Sequence, residues 1–111
     1  MTKSGIYNTA SGAFSLHNNT TGSTNAAHGN LALYSNTTGA NNTASGTKSL
    51  YDNTTGCLNT AIGYETLYEN TTSNYNTAVG ACSLYANTTG ASLVAVGYNA
   101  LKSSTCANCS T

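Results

Sequence analysis

The sequence predicts an all-β chain wound into a parallel β-solenoid, a β-roll of about 6.5 coils with 17 residues per coil. Three observations predict it: a repeat without insertions, columns that keep one residue type throughout, and a turn motif recurring once per unit. From Asn8 the chain reads NTASGAFSLHNNTTGST, NAAHGNLALYSNTTGAN, NTASGTKSLYDNTTGCL, NTAIGYETLYENTTSNY, NTAVGACSLYANTTGAS and LVAVGYNALKSSTCANC. These are coils 8–24, 25–41, 42–58, 59–75, 76–92 and 93–109 of a single repeat domain 1–111, with partial coils 1–7 and 110–111. Seventeen residues is too short for the two-helix units of helical solenoids, which need ~33 or more, and Asn-Thr-Thr-Gly breaks helices. Short strands joined by turns remain. With one unit per coil and a rise of ~4.8 Å, equivalent positions stack and backbone hydrogen bonds run from coil to coil.

The first invariant column is Ala10, Ala27, Ala44, Ala61, Ala78 and Ala95, and it is expected to face inward where a narrow coil has room only for a small side chain. Next comes Gly12, Gly29, Gly46, Gly63, Gly80 and Gly97, expected where the backbone takes positive φ or passes close to a neighbour. Leu16, Leu33, Leu50, Leu67, Leu84 and Leu101 form the third column and the expected core. Alternation from Ala10 through Gly12 and Phe14 to Leu16 predicts one strand of period two. Tyr34, Tyr51, Tyr68 and Tyr85 follow the leucines directly and predict an outward aromatic stripe, with His17 and Lys102 at its ends, that contacts a partner.

NTTG at 19–22, 36–39, 53–56 and 87–90, with NTTS at 70–73, reads as the turn. Here Asn is expected to tolerate left-handed backbone and Gly to supply positive φ. Stacked Asn amides can donate to one neighbouring coil and accept from the other, and the Thr column (Thr20, Thr37, Thr54, Thr71, Thr88, Thr105) can do the same. Polar ladders are needed because Leu, Ile, Val and Phe make only 15 of 111 residues, against 60 for Asn, Thr, Ser and Gly. Such a balance usually signals disorder, but proline is absent, net charge is zero, and the apolar residues recur at fixed spacing.

Three lysines and no arginine cannot form the basic stripe that nucleic-acid binding requires, so no nucleic-acid partner is expected. No enzymatic constellation is visible. His17 and His28 occupy non-equivalent positions without a neighbouring acid or nucleophile, and Asp52, Glu65 and Glu69 are too few for a calcium roll. Cys57, Cys82, Cys106 and Cys109 fall in four different columns, which excludes stacked stapling. Cys106 and Cys109 have CxxC spacing without a second ligand pair or a thioredoxin-like context, leaving a local or intersubunit disulfide, inert thiols, or metal and redox chemistry as the readings. Neither a metal nor a cofactor is expected. Eight Asn-x-Ser/Thr sequons occur, five of them restating the NTT turn. No membrane span or leader-like apolar run appears, so export is expected through a removed leader, another route or phage lysis.

NTA-x-G-x-x-x-L with NTTG resembles repeats of bacterial surface proteins and phage tail-fibre-like proteins, often found upstream of a self-cleaving chaperone domain. Asn59 to Gly63 and Asn76 to Gly80 also resemble, more loosely, the head repeats of trimeric autotransporter adhesins, which form parallel β-rolls from a shorter unit. The resemblance implies an extracellular or cell- or virion-surface fibrous role. Neither end shows a polar cap, and both are in compatible register, so the expected partner is a second copy stacked head to tail in a filament, the alternatives being a fragment of a longer repeat array or capping by a cofolding partner. Two other functions fit the sequence: an adhesin binding glycan or a host surface through the tyrosines, and an ice-binding protein using Thr rows. Against ice binding, the Thr-Thr pair lies in a turn, whereas a flat face favours Thr-x-Thr.

Overall fold

The computed structural model describes residues 5–104. Six three-residue strands, β1 (Thr9–Ser11), β2 (Ala26–His28), β3 (Thr43–Ser45), β4 (Thr60–Ile62), β5 (Thr77–Val79) and β6 (Val94–Val96), form one parallel sheet in chain order. They wind into a β-solenoid of about five turns with ~17 residues per turn, measuring 36 × 21 × 16 Å. Ala10 pairs with Ala27, Ala27 with Ala44, and so on to Ala78 with Ala95, so every strand stacks on its own equivalent. Residues 1–4 of the first partial coil, Thr105, Cys106, Cys109 and the last partial coil lie outside the described residues.

Ala27, Ala44, Ala61 and Ala78 are wholly buried and Ala95 nearly so, whereas Ala10, in the first coil, is exposed. Leu33, Leu50, Leu67 and Leu84 are likewise wholly buried, Leu16 is buried and Leu101 partly so. A small residue from the sheet and one leucine from the opposite wall therefore fill each layer. The period-two strand expected from Ala10 to Leu16 does not form. Each strand stops at the invariant glycine, whose φ lies between 121° and 132°, and a Cβ on Gly12 would sit 2.7 Å from the Gly29 carbonyl carbon. Positive φ and close approach act together there.

Beyond the glycine the backbone is left-handed at two more positions per coil. Phe14, Leu31, Lys48, Glu65, Cys82 and Asn99 have φ of 54–64°, and the six core leucines have φ of 50–53°. A third such column runs from Tyr7 to Ser92, with φ of 58–66°. Each left-handed residue other than glycine costs roughly 1–2 kcal/mol. Inter-coil bonding holds them in place: the Leu33 amide donates to the Ser49 carbonyl at 3.0 Å, and the Lys48 amide to the Asn30 carbonyl at 2.9 Å. The conformation also explains a choice of side chain. Isoleucine and valine fill a core as well as leucine, but β-branched residues fit left-handed backbone poorly, and neither appears in the leucine column or the one two residues before it.

Among the described residues nine asparagines are buried beside twelve apolar residues. Asn19, Asn36, Asn53, Asn70 and Asn87, from the NTT segments, are wholly buried. Asn36 donates through Nδ2 to Asn19 Oδ1 (2.8 Å), Asn53 to Asn36 (2.9 Å), Asn70 to Asn53 (2.9 Å) and Asn87 to Asn70 (3.2 Å). A second ladder, which the sequence reading did not single out, runs through Asn8, Asn25, Asn42, Asn59 and Asn76 of the NTA segments. There the side-chain oxygen of Asn25 accepts the Asn42 backbone N–H (3.0 Å), and its Nδ2 donates to the Gly39 carbonyl (2.9 Å). Asn36 Nδ2 reaches the same Gly39 carbonyl at 3.0 Å, so the two ladders converge on one acceptor per coil.

Neither the turn asparagines nor the turn glycines have left-handed backbone. The asparagines serve as core residues, and the glycines are needed for space: a Cβ on Gly22 would meet Asn19 Oδ1 at 2.7 Å. Crowding arises because the amides of Thr37, Thr38 and Gly39 all donate to the Thr54 carbonyl, at 3.0–3.2 Å. Ser73 fits at the equivalent place because its hydroxyl joins the ladder, donating to Asn70 Oδ1 and accepting from Asn76 Nδ2. Thr20, Thr37 and Thr54 do not form the expected hydroxyl ladder; each Oγ1 donates to the backbone carbonyl of the next threonine, at 3.1–3.3 Å.

Two substitutions test this core. Leu50→Ile is expected to lower stability by about 2–4 kcal/mol in urea denaturation, more than the ~1.5 kcal/mol ceiling usual for volume-conserving swaps, because the backbone penalty adds to repacking. Asn53→Leu is expected to cost about 2–4 kcal/mol by leaving Asn36 Oδ1 buried without its donor; a core stabilised by apolar burial alone would gain stability instead.

Candidate functional surfaces: the aromatic stack, the sheet face and the coil ends

The leucines turn inward, so the residues after them turn outward onto one wall. His17, Tyr34, Tyr51, Tyr68 and Tyr85 form a continuous column with centroid separations of 5.4, 5.3, 5.0 and 4.9 Å and interplanar angles of 3° to 14°. Phe14 packs edge-on against His17 at 5.5 Å, and Lys102 Nζ sits 5.9 Å from the Tyr85 centroid, closing the other end with a cation. The tyrosines are half-buried, and each of their faces is occupied by a neighbouring ring or capping group, leaving ring edges toward solvent. Asp52, Glu65 and Glu69 lie near this wall. Burial, then Asp52, push the Tyr68 phenol up from its ordinary value, and burial, then Glu65 and Glu69, do the same at Tyr85. The Asp52 carboxyl is raised by its own burial and by Glu69.

On the sheet face β2 to β6 each bury their central Ala and present their first and third residues outward. The first row holds Thr9, Ala26, Thr43, Thr60, Thr77 and Val94; the second holds Ser11, His28, Ser45, Ile62, Val79 and Val96. Only one of these rows is threonine-rich. The second changes from polar to apolar along the axis, and Ile62, Val94 and Val96 are exposed, with Tyr64 and Tyr98 just beyond their strands.

At the coil ends the ladders stop. Leu93 replaces asparagine in one and Ser104 in the other, and Asn87 Oδ1 and Ser104 Oγ are the two buried side-chain polar atoms, among the described residues, without a hydrogen-bond partner. A Cβ on Gly12, Gly29, Gly46, Gly63 or Gly80 would strike the following coil, but on Gly97 it would meet nothing within 4 Å. Amides equivalent to Thr9, which donates to the Asn25 carbonyl at 2.8 Å, are satisfied through Thr77; that of Val94 has no acceptor among the described residues.

The remaining sequence candidates stay apart. Cys57 and Cys82 are partly buried free thiols, and Cys106 and Cys109 fall outside the described residues. No cluster of three or more His, Cys, Asp or Glu able to hold a metal occurs among the described residues, and no helix there is long and apolar enough to cross a membrane. Five sequon asparagines are the buried rungs Asn19, Asn36, Asn53, Asn70 and Asn87, whose amides are already bonded in the folded chain. No family model, curated protein or solved structure matches the chain.

Because Asp52 has a raised folded-state pKa, its ionisation opposes folding: stability is greatest below the unfolded value of 3.8 and falls as pH rises through the folded value. Asp52→Asn is therefore expected to raise the thermal midpoint at pH 7 and to leave it nearly unchanged at pH 3, by scanning calorimetry.

Proposed function

We propose that the chain is a structural unit of an extracellular filament or fibre that grows by stacking coils end on end. The observation that carries this reading is the match between the two edges of the sheet. β1 and β6 are both open among the described residues, and every strand between them pairs with its equivalent in one repeated register. Among the described residues the approach above Gly97 is vacant, and in every earlier coil the equivalent place receives the next one. A head-to-tail contact of this kind does not close on itself and so gives a filament.

Two rival readings gain less from the geometry. Carbohydrate recognition by aromatic residues uses ring faces, and the faces of Tyr34, Tyr51, Tyr68 and Tyr85 are turned on one another. Ice binding favours paired threonine rows on a flat face, and the sheet face carries one.

Concentrated native protein is expected to form long unbranched fibres in negative-stain electron microscopy, with an axial spacing of ~4.8 Å by fibre diffraction. Val94→Pro removes the amide at the open edge while leaving the intrachain equivalents intact, and is expected to abolish the fibres but preserve the folded unit. Short rods that stay dispersed at every concentration would overturn the proposal.

A further inference from the structure

Tyrosines stacked at one-coil spacing are placed for a reaction as well as for packing. Tyr34, Tyr51, Tyr68 and Tyr85 form three adjacent pairs with nearly parallel rings, at 5.3, 5.0 and 4.9 Å. In a column of equivalent residues each ring's ortho carbons lie about one coil rise, ~4.8 Å, from those of the next. The four tyrosines are half-buried, so part of each ring remains open to an oxidant. Disulfides do not staple the described coils: Cys57 and Cys82 are free and lie in different columns.

We propose that this stack is a site of oxidative cross-linking, in which a peroxidase-type one-electron oxidant converts adjacent tyrosines of one chain to dityrosine and so ties consecutive coils covalently. Each of two neighbouring phenols loses one electron and one proton, the proton passing to water or to a nearby carboxylate such as Asp52 or Glu69. The two radicals join through an ortho carbon–carbon bond, and the ring hydrogens at the new bond move to oxygen, restoring both phenols. One hydrogen peroxide accepts the two electrons and two protons and leaves as two waters. The chain thus loses two hydrogens per link. Tyr68 is central because it belongs to two of the three pairs. Tyr7, Tyr64, Tyr75 and Tyr98 are more exposed, at 81%, 51%, 60% and 77%, and occur outside the stack. A surface-accessibility rule would make them the preferred targets, whereas the stack geometry favours Tyr51, Tyr68 and Tyr85. The site is independent of filament growth, since both partners lie within one chain.

The test treats dilute full-length protein with a haem peroxidase and hydrogen peroxide, isolates the monomeric species under denaturing conditions, and reads dityrosine fluorescence, mass and cross-linked peptides. Monomer lighter by two hydrogens, with peptides joining Tyr51 to Tyr68 or Tyr68 to Tyr85, is the expected result. Tyr68→Phe, which keeps the stacked ring, is expected to lower the intrachain yield about threefold if the pairs contribute independently. Tyr51→Phe/Tyr85→Phe removes every adjacent pair and is expected to abolish it, while Tyr98→Phe leaves it unchanged. Cross-links confined to Tyr7, Tyr64, Tyr75 and Tyr98, or an intrachain yield insensitive to Tyr68→Phe, would overturn the proposal, with circular dichroism confirming that each variant is folded.

Discussion

Stacking at the strand spacing means that every residue in the interior meets a copy of its own position, and the rest of the structure answers to that requirement. A side chain is admissible inside only if it is complementary to itself. Leucine satisfies this by apolar contact, and alanine by being small enough to let the sheet approach. Asparagine satisfies it by carrying a donor and an acceptor on one amide, so that Asn53 can give to Asn36 and receive from Asn70. Serine and threonine have the same dual capacity but a shorter reach, and accordingly bond to the backbone: Ser49 to Gly46 and Thr37 to Thr54. A carboxylate only accepts and an ammonium only donates, which is reason enough for the absence of charge from the inner columns.

Self-stacking also reverses the usual relation between strain and folding. Eighteen described residues other than glycine have left-handed backbone, a cost that an isolated coil could not bear. Fifteen of them donate an amide bond to a neighbouring coil, so their conformation is imposed by that neighbour rather than chosen by the residue. Phe, Leu, Lys, Glu, Cys and Asn can therefore share one column with φ varying by only 10°. A coil at the edge of the array has half of that support, and the incomplete rungs at Asn87 and Ser104 lie at such an edge.

The same reasoning explains what could be read from the sequence. The period, the inward Ala and Leu columns, the positive-φ glycine and the outward tyrosines were legible because each recurs along a column, and recurrence along the axis is the mark of self-stacking; that the strand ends at this glycine was not legible. The left-handed columns were not legible, because a conformation imposed by neighbours leaves no residue preference beyond the exclusion of β-branching, and Thr24 escapes even that. The Asn8 to Asn76 ladder was missed for another reason: it ends in Leu93, and its residues sit beside strands where asparagine normally faces solvent. The NTTG glycine lies in the turn as expected but not for positive φ: the actual demand, three amides converging on one carbonyl, comes from the next coil.

Outside the core the requirement relaxes, and the walls become free to differ from coil to coil. That freedom is used unequally. The sheet face passes from Ser11 and Ser45 to Ile62 and Val96, whereas the wall after the leucines keeps an aromatic ring for five successive coils. Stacked rings contribute ~0.5–1.5 kcal/mol per pair beyond their burial, comparable with the cost of one left-handed residue, and they fall directly after the left-handed leucines. The aromatic wall is therefore best understood first as compensation placed beside the strain it offsets. Its ring faces are consumed by that role, so whatever chemistry or contact the wall supports must begin at the exposed edges.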